Sequence, residues 1–146
     1  MFAEGQVIYF SPFFFKNGNT SKNKYFIVLK SVESRLIIAS LPTRSCKAPS
    51  LITVSHGCNN DNERMFNCYA FQENIIITDA GFYFELPTYI YGNEVEDYQV
   101  SLLDEVYKIE GIDYELKGIL LKQEYDALLI CLKQSRAVKR GIKRML

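Results

Sequence analysis

Apolar residues enter this chain in short runs bounded by turn residues. Gln6-Val7-Ile8-Tyr9-Phe10, Lys24-Tyr25-Phe26-Ile27-Val28-Leu29 and Leu36-Ile37-Ile38-Ala39-Ser40-Leu41 are rich in β-branched and aromatic side chains, which predicts strands. Only Lys30 to Arg35 separate the second run from the third, so a hairpin is the economical connection. Lys24 opens one arm of that hairpin, and Thr43 and Arg44 follow Pro42 at the end of the other. Antiparallel pairing then gathers an ammonium, a hydroxyl and a guanidinium at one end of a sheet.

Further along, residues 50–54, 66–71, 74–78, 81–85, 88–91 and 98–103 read as short strands. Residues 16–24 and 55–63 are polar and read as exposed loops. The period changes near the end. Leu121, Tyr125, Leu128 and Leu132 form one helical stripe, which predicts a helix over about 114–135 with Asp113 as its N-cap. Gly118 sits awkwardly in the early part of that stretch. The expectation is one mainly β domain over 1–146, with a small barrel or sandwich at 5–110, a C-terminal helix at 112–136 packed on it, and a basic tail at 137–146.

Composition narrows the class. Hydrophobic residues make up 48% of the chain, with ten Tyr, ten Phe and no Trp, which excludes a disordered protein and favours strands. No apolar stretch approaches the roughly 20 residues of a membrane helix, and the aromatic start, broken by Glu4 and Gly5, lacks the basic flank of a signal peptide. A cytoplasmic protein with no membrane partner is expected. Cys46, Cys58, Cys68 and Cys131 then read as free thiols. His56 with Cys46, Cys58 and Cys68 has no Cys-x-x-Cys spacing, so no metal is expected. Nor does any dinucleotide fingerprint, P-loop or nucleophile elbow appear, and no cofactor is expected.

The formal net charge is zero, but it is unevenly spread. Lys133, Arg136, Lys139, Arg140, Lys143 and Arg144 are met by no acid beyond Asp126, whereas residues 94–115 hold eight acids against Lys108. A basic tail reads either as a nucleic-acid footprint or as a solvated helix end whose cations suit the negative terminus of the helix dipole.

The Gly5-to-Phe10 strand followed by Pro12, the polar loop, the strand from Lys24 and the Leu36–Thr43 strand ending in a hydroxyl together resemble the MazF/PemK family of toxin endoribonucleases. Ile109-Glu110-Gly111-Ile112 and the Leu-rich helix are similar to that family's last strand and closing helix. The resemblance implies an SH3-like barrel, metal-independent cleavage of single-stranded RNA, restraint by an antitoxin and a homodimer. It maps the family's catalytic arginine onto Lys24 and its hydroxyl onto Thr43, with Arg44 beside it as a substitute guanidinium. Tyr25 and Gln6 replace the family's proline and acid, and the stretch 55–107 is longer and more aromatic than in that family. Lys24, Thr43 and Arg44 are thus the candidate catalytic residues, with Lys22, Arg35, Ser45 and Lys47 as candidate RNA contacts.

Other readings of the same residues stay open. Pro42-Thr43-Arg44-Ser45 also fits an ordinary strand exit, and Lys24 an exposed charge closing a loop. His56 is a proton shuttle if its loop folds over this end of the sheet, and otherwise an exposed loop residue. The rings of Phe82, Tyr83, Phe84, Tyr89 and Tyr91 serve either base stacking or the core and a dimer contact. The alternative function is a catalytically silent SH3-like barrel that binds nucleic acid or protein, which lysine at position 24 favours.

Overall fold

A computed structural model describes residues 2–146; Met1, the first residue of the expected domain, lies outside the described residues. The apolar runs form strands. These are β1 (Gln6–Phe13), β2 (Lys22–Val32), β3 (Leu36–Ser40), β4 (Gly57–Asp61), β5 (Phe66–Phe71), β6 (Thr88–Ile90) and β7 (Val95–Gln99). After them come α1 (Val100–Val106), β8 (Tyr114–Ile119), α2 (Lys122–Gln134) and α3 (Arg140–Lys143). A five-stranded antiparallel sheet has the order β7-β3-β2-β1-β8, and a three-stranded one the order β4-β5-β6. Among the described residues the edge strands β7 and β8 do not pair with each other, so the larger sheet stays open. The molecule is mainly β, with a C-terminal helix packed on it.

Strand alternation explains why the central runs are apolar throughout. Val7, Ile27, Leu29 and Ile38 face a core shared with β5 and α2. Ile8, Phe10, Phe26, Val28, Ile37 and Ala39 face a second core, closed by Leu103 of α1 and by Tyr107. With both faces covered, no position of β2 between Phe26 and Leu29 is left for a polar residue. A third cluster, Phe66, Cys68, Ala70, Tyr89 and Tyr91, lies on the outer face of the small sheet beneath Ala48, Ile52 and Val54.

The expected hairpin is present. Val32 pairs with Leu36 around a turn closed by the Arg35 N–H on the Val32 carbonyl at 3.2 Å. Glu33 and Ser34 both have positive φ, 52° and 58°, the twist-matched geometry of a type I′ turn.

Several expectations need correction. The 55–63 stretch contains β4, because its polar residues pair edge-on with β5 from Gly57–Ala70 to Asp61–Phe66. Residues 50–54, 74–78 and 81–85 are not strands; Ile52 and Val54 pack on the third cluster, and Thr78 makes one isolated bridge to Leu120. The run 98–103 splits, with Tyr98 and Gln99 ending β7 and the rest beginning α1.

The expected helix at 112–136 is two elements, because 114–119 is β8, zipped onto β1. Gly118 is the physical reason. It has φ +107°, and a Cβ there would lie 2.8 Å from Thr78 Oγ1, Asp79 Oδ1 and the Ala80 Cβ. It sits beside a bulge, since Val7 pairs with Gly118 but Ile8 with Leu116. Asp113 caps no helix; its carboxylate accepts from the Lys108 and Ile109 N–H groups within a turn. The tail 137–146 is basic but anchored: Val138 and Ile142 are buried, and Met145 and Leu146 pack on the first core.

The free-thiol expectation fails for two cysteines. Cys58 on β4 and Cys131 on α2 form a disulfide with Cα atoms 5.5 Å apart, while Cys46 and Cys68 are free. That pairing became possible once β4 ran beside α2.

Candidate phosphate-facing site

Lys24 is the third residue of β2 and shares the sheet face of Phe26. Its Nζ donates to the Pro42 carbonyl at 3.2 Å. Pro42 ends the excursion of β3, and beyond it Thr43 turns to the other sheet. The Thr43 N–H donates to the Tyr89 carbonyl at 2.8 Å, and the Tyr89 N–H to that of Thr43 at 2.7 Å. Thr43 is therefore the residue that ties the larger sheet's exit to β6, and this fixes its position relative to Lys24. Its Oγ1 accepts from the Ser45 N–H at 3.2 Å. Arg44 follows, exposed and without an ion pair among the described residues.

Lys24, Thr43 and Arg44 line one cavity of about 360 Å³ together with Tyr9, Asn23 and Tyr25. Burial lowers the Lys24 pKa, Lys22 lowers it further, and Glu94 opposes both. On the other side, Lys24 and Thr43 also line a wider groove of about 670 Å³ with Lys16, Lys22, Glu94 and Glu96. The acids of that groove are matched from outside it: Lys139 holds Glu96 at 2.8 Å and Lys47 lies 3.5 Å from Glu94. Lys16 is held by Asp97 and lies 4.4 Å from the centre of the Tyr98 ring. Lys22 and Lys24 form no ion pair among the described residues.

The candidate RNA contacts divide. Lys22 lies on the wider groove. Ser45 is next to the cluster, but its carbonyl accepts from the Tyr91 hydroxyl at 2.8 Å. Lys47 lies one wall away, its N–H on the Tyr91 hydroxyl at 2.8 Å. Arg35 sits in the β2–β3 turn, at the opposite end of the hairpin from Lys24, in a depression with Ser34, Gln99 and Asp104. It cannot act with the cluster. Eight strand positions, at about 3.3 Å each, separate Lys24 from the turn.

His56 does not fold over this end either. It precedes β4, and its Nε2 stands 2.7 Å from Glu124 Oε1 on α2. The Gln72 N–H donates to Nδ1 at 3.0 Å, so Nε2 carries the proton and donates to the carboxylate. The Tyr69 hydroxyl donates to the same oxygen at 2.6 Å. Burial, and then this bond to Glu124, push the Tyr69 pKa up. This trio, in which Tyr69 and Glu124 are buried and His56 half-buried, was not read from the sequence, since 68 residues separate His56 from Glu124 and a glutamate on a helix gives no burial signal. Glu94 and Glu96 were not read as site residues either: Glu94 closes the short turn before β7 and Glu96 lies on β7, and only the fold brings both to the groove of Lys22 and Lys24. Of the aromatic stretch, Phe84, Tyr89 and Tyr91 are core residues, and Tyr83 is exposed.

Among the described residues no group of three or more His, Cys, Asp or Glu could hold a metal ion, and no helix is long and apolar enough to cross a membrane. No protein-family model matches the chain, and comparison with characterised proteins and with solved structures finds no match. The fold and site define a small, mainly β protein with a cationic cluster at the junction of two sheets.

Proposed function

We propose that the protein acts on single-stranded RNA at the Lys24–Thr43–Arg44 cluster, as a divergent endoribonuclease of the MazF/PemK toxin type that uses neither metal nor cofactor. The observation that carries this reading is the convergence of three phosphate-complementary groups, from β2 and from the segment that follows β3, on one cavity. Cleaving RNA this way requires activation of a 2′-hydroxyl, stabilisation of charge on the five-coordinate phosphorus and a proton for the leaving oxygen. The Arg44 fork suits two phosphate oxygens, and the Thr43 hydroxyl donates to a third. Lys24 adds what a guanidinium lacks. An ammonium whose pKa is lowered by burial gives up a proton more readily than a guanidinium does. In this reading the fold is an SH3-like barrel opened by insertion of the small sheet, working in the cytoplasm as a homodimer restrained by an antitoxin.

A second reading, a silent barrel that binds nucleic acid or protein, is favoured by two observations. Lys24 already spends a hydrogen bond on Pro42, and among the described residues no histidine or carboxylate lines the cavity. Induced expression followed by primer extension on total RNA separates the two. New RNA ends and growth arrest with the wild type, lost in Thr43→Ala/Arg44→Ala, establish the nuclease. A folded wild type that produces no new ends leaves the binding reading.

A further inference from the structure

A separate cavity of about 420 Å³ lies between the β4–β5 hairpin, the Tyr91–Asn93 turn and the segment leaving α2. Its size falls in the range of about 300–1,000 Å³ typical of small-ligand sites. Its chemistry differs from that of the grooves at Lys24. Five carboxamides line it, those of Asn60, Asn62, Asn67, Asn93 and Gln134, with the cations of Lys47 and Arg136 and no carboxylate. The rest of the wall is mainly apolar, formed by Met65, Phe66 and the ring of Tyr91.

The wall is held in place. The Tyr91 hydroxyl donates to the Ser45 carbonyl and accepts from the Lys47 N–H, both at 2.8 Å, so its ring cannot swing. Gly92 lets the turn lie against the end of α2, since a Cβ there would meet Ser135 Oγ at 2.6 Å. The Cys58–Cys131 disulfide ties the hairpin to the helix. Asn67 reaches that disulfide with its Nδ2, 3.9 and 3.8 Å from the two sulfurs, while its Oδ1 is enclosed with no hydrogen-bond partner. Enclosed in this way, the Asn67 oxygen stands behind the wall, and the amides open to a bound molecule are those of the exposed Asn60, Asn62, Asn93 and Gln134.

Carboxamides offer a donor and an acceptor side by side, which matches the edge of a nucleobase, and the apolar wall suits its face. Arg136 is exposed and forms no ion pair among the described residues, so its fork is available for a phosphate. A sugar would engage the amides but leave the unpaired Arg136 without a role. An acidic peptide would engage the cations but not the amides. We infer that this cavity binds one nucleotide, with the base against the carboxamides and Met65 and the phosphate on Arg136 and Lys47. The inference depends on the RNA reading only for whether that nucleotide is free or part of a strand.

The test is titration of the full-length, disulfide-intact protein with each of the four ribonucleoside 5′-monophosphates and with inorganic phosphate, followed by calorimetry and amide chemical shifts. At least one nucleotide is expected to saturate a single site with at least tenfold higher affinity than phosphate. Arg136→Gln and Asn62→Ala, both at exposed positions, are each expected to weaken it at least fivefold. A short single-stranded RNA that moves the same amides assigns the site to a strand, whereas RNA that leaves them unmoved while the monophosphate binds assigns it to a free nucleotide. Nucleotide binding no tighter than phosphate, or binding that survives both substitutions, overturns the inference. Because this titration scores binding without cleavage, it can succeed or fail independently of the Thr43/Arg44 experiment.

Discussion

Lys24 and Glu124 show how burial changes what a charged side chain does. Burial favours the neutral form of Lys24, so its folded-state pKa lies below the ordinary 10.5. The unfolded chain therefore binds more protons in the window below 10.5, and this residue's contribution to stability rises as pH rises through that window. Lys24→Met removes the effect. The stability advantage of the Met variant over the wild type is expected to shrink as pH approaches 10.5, read from urea melts at a series of pH values. Glu124 is a buried side chain whose Oε1 accepts two bonds, from Tyr69 and from His56. Glu124→Ala leaves the buried Tyr69 hydroxyl without an acceptor, at roughly 1–3 kcal/mol for a buried group left unpaired, while the half-buried His56 can reach water. Glu124→Gln, which keeps an acceptor, is expected to lose less; equal losses in the two variants would show that the hydrogen bonds contribute little.

At the scale of elements, β8 and β4 decide the topology. Gly118→Ala forces a side chain into the Thr78–Ala80 corner at a φ that L-residues resist, and it is expected to destabilise by more than about 1 kcal/mol. Wild-type stability in that variant would mean the corner gives way easily. The disulfide closes a separation of 73 residues. Chain-entropy arithmetic for such a loop gives about 4 kcal/mol, with typical measured values of about 2–4. Cys58→Ser/Cys131→Ser is therefore expected to lower the urea midpoint clearly, and reductant to do the same to the wild type and nothing to the variant. Both elements were hard to read for local reasons. The six residues of β8 stand directly before the helical stripe with no turn signal between, and only Gly118 marks the break. β4 reads Gly-Cys-Asn-Asn-Asp, with no strand propensity of its own. It is a strand because β5 offers it an edge and Cys131 holds it there.

For the whole molecule, the alkaline limit is set by buried phenols. Burial is the first cause that raises Tyr91 and Tyr125, each to about 12, and it raises Tyr69 and Tyr98 as well. Above the ordinary tyrosine value of 10 the unfolded chain releases these protons while the folded one keeps them. Stability from this source is complete below pH 10 and is lost as pH rises toward 12. A thermal midpoint that falls steeply over that interval is the expected result, and one that stays level would contradict it. At this scale the sequence by itself determined the mainly β character, the β2–β3 hairpin and the nearness of Lys24 to Thr43, because these follow from local alternation and a short connection. Tertiary structure alone decided that the larger sheet stays open, that Thr43 joins it to the small sheet, and that Cys58 meets Cys131 and His56 meets Glu124. Each of these depends on which surfaces pack together across 40 or more residues, and pairing energies between distant segments leave no periodic trace in either segment.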